Sequence, residues 1–95
     1  TMQMESGIAY GLSAALTEEI TMTKGRVEQA NFTSYPILPP RKMPQVHVQI
    51  INSGEALGGI GEPGTPPIAP AVCNALFTLT GQRIRSLPLS RYTFT

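Results

Sequence analysis

Apolar residues recur at helical spacing in two stretches of this chain, one near its start and one in its last third. In residues 2–18 the apolar stripe predicts an amphipathic helix and consists of Met4, Ile8, Leu12, Ala15 and Leu16. A second stripe predicts another helix and consists of Ile68, Ala71, Val72, Ala75, Leu76 and Leu79. Gly81 follows it at the position where a glycine commonly ends a helix.

Between the predicted helices, residues 20–29 have the pattern of a β-hairpin, because two strand-forming stretches flank the turn pair Lys24-Gly25. Residues 36–44 contain four prolines, which predicts an extended connector. The connector also matches the PxxPxR pattern of segments that dock on SH3 domains, through Pro36, Pro39 and Arg41. Because short matches of this kind are common by chance, docking is the minor alternative.

Residues 46–50 alternate between apolar and polar side chains, which predicts a strand buried on one face. His47 falls on the polar face, where a solvated histidine is favoured over a catalytic one. The predicted fold class is therefore α+β, in the order helix, β-hairpin, proline-rich connector, strand, Gly/Pro loop and helix.

The Gly/Pro loop, residues 58–67, holds four glycines, three prolines and one carboxylate in ten residues. Glycine lets a backbone approach a ligand closely, and proline makes the turns around it rigid. Glu62 in such a loop is a candidate acid or base. The start of the following helix, with free N–H groups and a positive dipole end, favours an anionic neighbour. A purely structural turn into a core helix is the open alternative.

Two glycines in the first helix predict that another group comes very close to it. Gly7 and Gly11 are four residues apart, and each costs about 1 kcal/mol relative to alanine in a helix interior. Ordinary close helix packing explains them, and so does a bulky ligand. Gln3 and Glu5 lie beside this face, and either could point into a site.

Composition indicates a subunit or a fragment. Charged residues make up 14% of the chain, against roughly 25% in ordinary soluble domains, so we expect partner protein to cover much of the surface. The first residue, Thr1, fits a piece of a longer polypeptide. A net charge of +1 with no basic stripe argues against nucleic acid.

The remaining chemistry-bearing residues exclude several site types. One cysteine, Cys73, rules out an internal disulfide framework, and with the single histidine it cannot supply a structural zinc site. Cys73 is predicted to be a small buried hydrophobe. The longest membrane candidate, residues 8–16, is too short to span a bilayer.

Several motifs in order resemble the C-terminal end of molybdenum hydroxylase large subunits, the family of xanthine dehydrogenase and aldehyde oxidoreductase. They are Gln3-Met4-Glu5-Ser6-Gly7, Gly11-Leu12, Gly25-Arg26-Val27-Glu28-Gln29, Asn31-Phe32 and Tyr35. The loop motif is similar to that of the isoquinoline 1-oxidoreductase β-subunit branch, through Gly59-Ile60-Gly61-Glu62-Pro63 and Pro66-Pro67-Ile68-Ala69-Pro70-Ala71. The resemblance runs from Gln3 to about Pro88.

This resemblance implies site roles that the residues alone do not. It makes Glu62 the base that activates a molybdenum-bound hydroxide, for oxygen insertion into an N-heterocycle or an aldehyde. It places Gln3 and Gly61 against the molybdopterin cofactor and gives no metal ligand in this segment. Residues 1–95 would then be the C-terminal part of a molybdopterin-binding domain.

The resemblance also implies partners. These are the remainder of the large subunit and an iron–sulfur small subunit with [2Fe–2S] clusters, for which this chain has no cysteine set. The expected cofactor is the cytosine dinucleotide form, in a bacterial cytoplasmic or periplasmic enzyme. Two alternatives stay open: a non-catalytic interaction domain with a proline-rich docking segment, and a small anion-binding module. Glu62 argues against the latter, because an ionised acid repels phosphate.

Overall fold

The first helix, α1, spans Met2–Leu16 in the computed structural model, which describes residues 1–94. The predicted helix is therefore confirmed, and it ends two residues before position 18. Its fully buried positions are the small residues Gly7, Gly11, Ser13 and Ala15, whereas Met4, Ile8, Leu12 and Leu16 are only half-buried. Within this chain, α1 therefore packs mainly through a face of small residues.

The second long helix, α2, spans Ile68–Thr80 and confirms the other periodic stretch. Gly81 ends it in the left-handed conformation with φ 74°, and its amide donates to the Phe77 carbonyl at 2.8 Å. None of its residues is buried, and Leu79 is 80% exposed. Cys73, predicted to be buried, is half-buried.

The predicted β-hairpin is confirmed, with strands of two residues each. Strand β1, Met22–Thr23, pairs antiparallel with β2, Arg26–Val27. Lys24 and Gly25 both have positive φ, 52° and 76°, which is the geometry of a two-residue hairpin turn. With two helices and this antiparallel pair, the α+β prediction is confirmed.

The prediction of a strand over residues 46–50 is wrong. No strand forms there, although Val46 and Val48 are half-buried and His47 and Gln49 are exposed as the alternation predicts. A strand needs a hydrogen-bonded neighbour, and residues 1–94 provide none for this segment. Ile50, predicted to be on the buried face, is 79% exposed.

The proline-rich connector is extended except for one 3₁₀ turn at Pro40–Lys42. Two hydrogen bonds attach its start to α1. The buried Ser13 hydroxyl accepts from the Leu38 amide at 2.9 Å, and the Thr17 hydroxyl donates to the Pro36 carbonyl at 3.1 Å. A second 3₁₀ turn, Leu89–Arg91, contacts α1 near its C-terminal end.

The described chain has a very small core, formed by the buried apolar residues Ala15, Ile84 and Leu89. Its radius of gyration is 16.1 Å, against about 12.4 Å for a compact chain of this length. Its accessible surface is 7527 Å², against roughly 5,300 Å² for a compact monomer of this mass. Among residues 1–94 no helix combines the length and the apolar character that a membrane crossing requires.

Candidate functional site

The Gly/Pro loop lies along one face of α1, and three positions spaced four residues apart on the helix contact it. These positions are Gln3, Gly7 and Gly11, and they meet successive parts of the loop. Residues four apart in a helix lie one above the other on the same face. The helix therefore holds the loop in a defined register.

At the first of these positions, the Gln3 side chain holds the loop just before Glu62. Its amide nitrogen Nε2 donates to the Gly61 carbonyl at 3.1 Å, and the two residues are 58 positions apart in the chain. Two of the three residues predicted for the site are thus in direct contact. Gln3 is exposed, and its amide oxygen accepts no hydrogen bond from residues 1–94.

The two helix glycines are required by close backbone approach, which confirms the sequence prediction. A Cβ at Gly7 would lie 3.3 Å from the Gly64 Cα. A Cβ at Gly11 would lie 2.6 Å from the Thr65 carbonyl oxygen and 3.0 Å from the Ile68 Cβ. Since real Cβ atoms do not approach other atoms within about 3 Å, an alanine at position 11 would displace the loop.

Thr65 holds the loop just after Glu62. Its amide donates to the Glu62 carbonyl at 2.9 Å, and its hydroxyl donates to the Gly7 carbonyl at 3.0 Å. Its own carbonyl accepts from the Ile68 amide at 3.3 Å, where α2 begins. No sequence pattern singles out Thr65, because a threonine before two prolines carries no signal for a partner 58 residues away.

The Glu62 side chain stands between these two attachments and is exposed. Its carboxylate receives no hydrogen bond and forms no ion pair within residues 1–94. A Cβ added at Gly58, Gly59 or Gly61 would meet no atom within 4 Å, so this side of the loop is open. The loop thus presents an unpartnered carboxylate beside open glycine backbone, where a large group can approach closely.

The start of α2 does not offer the anion site that its position predicted. Its first turn contains Pro70, which has no N–H, and the Ile68 amide already donates to Thr65. The Ala71 amide donates to the Pro67 carbonyl. Within the described chain, Ala69 is therefore the one residue of the first turn whose amide donates no backbone hydrogen bond. The anion-binding alternative needs several free N–H groups at this helix start, and it loses that support.

The side chains of the other candidate residues make no hydrogen bond to the Gly/Pro loop within residues 1–94. Glu5 is half-buried in α1 and makes no side-chain hydrogen bond with the described residues. His47 is exposed, as predicted. Within residues 1–94 no three His, Cys, Asp or Glu side chains come together as a metal site.

The charged groups with shifted pKa values lie beyond the opposite end of α1. Glu19 pairs with Arg91, and this hydrogen bond lowers the pKa of Glu19 and raises the pKa of Arg91. The Tyr35 hydroxyl donates to Glu18 at 2.8 Å, which raises the pKa of Tyr35. These contacts attach later parts of the chain to the helix end and take no part in the Gly/Pro loop.

Comparison with known proteins gives relatives over almost the whole chain. It is 44% identical over 87 residues to isoquinoline 1-oxidoreductase subunit beta of Brevundimonas diminuta, which covers 92% of the chain and 11% of the relative. It is 34% identical over 95 residues to a putative xanthine dehydrogenase molybdenum-binding subunit of Escherichia coli, covering 93% of the chain and 13% of the relative.

A third relative is the membrane-bound aldehyde dehydrogenase of Gluconacetobacter polyoxogenes, which is named for pyrroloquinoline quinone. It is 33% identical over 87 residues, covering 92% of the chain and 11% of the relative. No family model matches the chain.

These relatives define a class of oxidoreductases, and the chain matches one short segment of each. It belongs to the molybdenum hydroxylase family of xanthine dehydrogenase and aldehyde oxidoreductase, which confirms the resemblance in the sequence motifs. The chain spans about a tenth of the length of the curated relatives it matches.

Proposed function

We propose that this segment supplies the catalytic base of a molybdenum-dependent oxidoreductase, and that Glu62 is this base. The observation that supports this most directly is the exposed, unpartnered carboxylate of Glu62. It lies between two hydrogen bonds that attach its loop to α1. A carboxylate in this setting can accept a proton without first breaking an ion pair. These hydrogen bonds hold the backbone on both sides of Glu62. A fixed orientation of the catalytic group contributes strongly to the reaction rate.

The proposed reaction inserts water-derived oxygen into an N-heterocycle or an aldehyde. When bound, the molybdenum cofactor would supply the Lewis-acid and redox chemistry. The task of Glu62 is to take the proton from the water-derived nucleophile at its carboxylate oxygen. The names of the relatives support this substrate range, since they include an isoquinoline 1-oxidoreductase subunit and an aldehyde dehydrogenase.

The residues present fit a large cofactor on the open side of the loop. Gly58, Gly59 and Gly61 leave space that any side chain would fill. Gln3 already donates to Gly61, so its amide oxygen and second N–H are the groups it would offer to the cofactor. We propose Gln3 and Gly61 as cofactor-binding residues and the cytosine dinucleotide form as the cofactor.

We also propose that residues 1–95 are the C-terminal part of a molybdopterin-binding domain and depend on its remainder. The expanded dimensions and the small core of the chain support this, as do its many exposed apolar side chains. The electron acceptors would be [2Fe–2S] clusters on a small subunit. Amide exchange on the isolated chain tests the dependence, because strong protection in a soluble monomer would show an autonomous domain.

The alternative of a proline-rich docking module has less support. The connector is held against α1 through Leu38 and Pro36, and Leu38 and Pro39 are half-buried. An SH3 domain needs this segment exposed and in an open polyproline helix. The connector is therefore better explained as a structural segment whose start is attached to the C-terminal part of α1.

The test of the proposed base is Glu62→Gln in the full-length enzyme. The amide is nearly isosteric but cannot accept the proton, so turnover should fall by ~10²–10⁴-fold, the usual range for a general base. Molybdenum content should not change. Glu55→Gln is the matched control, since Glu55 is also exposed and lies in the same glycine-rich region. Near-parent turnover by Glu62→Gln at full metal content would exclude Glu62 as the base.

A further inference from the structure

Thr65 is bonded to three parts of the site at once. Its amide donates to Glu62, its hydroxyl donates to Gly7 in α1, and its carbonyl accepts from Ile68 at the start of α2. We propose that Thr65 is a positioning residue for Glu62, and that its hydroxyl sets where the carboxylate stands. This proposal rests on the proposed function of Glu62 as the base.

The helix glycines explain how this hydroxyl reaches a helix carbonyl. The Gly7 carbonyl has a second lone pair beyond the one that its helix bond uses. With no side chain at Gly7 or Gly11, the loop backbone lies in van der Waals contact with the helix, and Thr65 Oγ1 comes within 3.0 Å of the carbonyl oxygen. The bond is half-buried, so water competes for it less than at an exposed site.

A second attachment is needed because the first cannot fix the loop alone. Gln3 holds Gly61 through one hydrogen bond from a long, exposed side chain, and the loop could turn about that point. The Thr65 bond lies on the other side of Glu62 and one helical turn further along α1. Two attachments, one on either side of Glu62, fix the position and direction of its backbone, from which the side chain extends.

The experiment compares Thr65→Val with Thr65→Ser in the full-length enzyme. Valine keeps the β-branched shape and the backbone bonds but replaces the hydroxyl with a methyl group, whereas serine keeps the hydroxyl and lacks the methyl group. Because one hydrogen bond contributes about 0.5–1.5 kcal/mol net, kcat per bound molybdenum should fall roughly two- to tenfold in Thr65→Val. KM should stay unchanged, and Thr65→Ser should recover most of the loss.

A double variant separates positioning from general damage. If Thr65 acts through Glu62, then Thr65→Val should not further reduce the residual rate of Glu62→Gln. An equal loss in both backgrounds would overturn the proposal, as would parent-like kcat in Thr65→Val. If Glu62→Gln itself turns over normally, the proposed function fails and this proposal fails with it.

Amide exchange in the cofactor-free full-length protein gives a measurement that does not depend on activity. The amides of residues 65 and 68, which donate hydrogen bonds at the end of the loop, should exchange faster in Thr65→Val than in the parent or in Thr65→Ser, because the loop has lost one attachment. Unchanged exchange in Thr65→Val would show that the hydroxyl does not hold the loop. That result would overturn the proposal even if Glu62 is confirmed as the base.

Discussion

Residues 46–60 lead directly into residues 61–68, yet only the later stretch, residues 61–68, is held in place by the rest of the chain. The later stretch is bonded to α1 at Gln3 and Gly7 and joins α2 directly. In the earlier stretch residues 49–60 are all exposed, and its one recorded hydrogen bond is local, from the Glu55 amide to the Ser53 hydroxyl. Leu57 and Ile50 extend from it into solvent.

The difference between the two stretches shows the effect of the glycine face of α1, formed by Gly7 and Gly11. Where α1 has no side chains, a neighbouring loop can approach its backbone and form hydrogen bonds with it. The earlier stretch has the alternation of a strand but no neighbour within residues 1–94 that could pair with it. We infer that the remainder of the protein covers its exposed apolar side chains, such as Ile50 and Leu57.

The largest expected effect comes from removing the close approach itself. Gly11→Ala places a Cβ 2.6 Å from the Thr65 carbonyl oxygen, so the loop must move. Because the contact is with backbone, the cost of overpacking should reach at least the upper end of its usual range of about 1–3 kcal/mol, and roughly 1 kcal/mol of improved helix propensity offsets part of it. Amide exchange over residues 61–68 in the full-length protein should accelerate, and turnover should fall.

Gly59→Ala is the control for this prediction, because nothing lies within 4 Å of a Cβ at that position in the described chain. In the cofactor-free full-length protein it should leave the amide exchange of residues 61–68 unchanged. If Gly11→Ala also leaves the loop protected, the two glycines do not define its position.

The next effect tests whether the exposed stretch is covered in the full-length protein. Ile50→Asn should destabilise that protein by about 2 kcal/mol if the remainder buries Ile50, since this is the usual contribution of a buried isoleucine. Gln49→Asn, at the neighbouring exposed position, should change little. Thermal unfolding of both variants measures the difference, and equal stabilities would mean that residue 50 stays exposed.

A smaller loss is expected where the connector is attached to α1. Ser13→Ala removes the hydroxyl that accepts from the Leu38 amide, in a residue that is 6% exposed. The Leu38 amide is only half-buried, so water can partly replace the lost acceptor, and the cost should be about 1 kcal/mol, the lower end of the range for an unsatisfied buried donor. Ser53→Ala is the matched control, because its hydroxyl accepts an exposed local bond. The amide exchange rate of residue 38 should rise in Ser13→Ala but not in Ser53→Ala.

The smallest effect concerns pH at the far end of α1. The Arg91 hydrogen bond holds the pKa of Glu19 below its ordinary value of 4.5. A depressed acid pKa contributes stability above 4.5, and this contribution is lost as the pH falls through the lower, folded-state value. Arg91 is exposed and Glu19 is only half-buried, so water screens the pair and the contribution is small.

Thermal midpoints measured between about pH 3 and pH 7 test this contribution. The gap between the parent and Glu19→Gln should narrow towards the acid end. Glu28→Gln, at an exposed glutamate without a side-chain partner in residues 1–94, should show no such trend. A constant gap across the range would show that the Arg91 contact does not shift the stability with pH.

Local patterns determined the regular elements of this chain. The 3.6-residue periodicities define both long helices, Gly81 ends the second, and Lys24-Gly25 defines the hairpin turn. Each of these depends on neighbours only a few residues away, so composition and spacing carry the information. The glycines at positions 7 and 11 also indicated a close approach, although not what approaches.

The tertiary structure decided what depends on partners distant in sequence. Thr65 reaches Gly7 across 58 residues, and Ser13 reaches Leu38 across 25, and neither pair has a local signature. The strand predicted over residues 46–50 fails for the same reason, because a β-ladder requires a second strand. Periodicity specifies which face of a segment is apolar, but only the folded chain brings another element against that face.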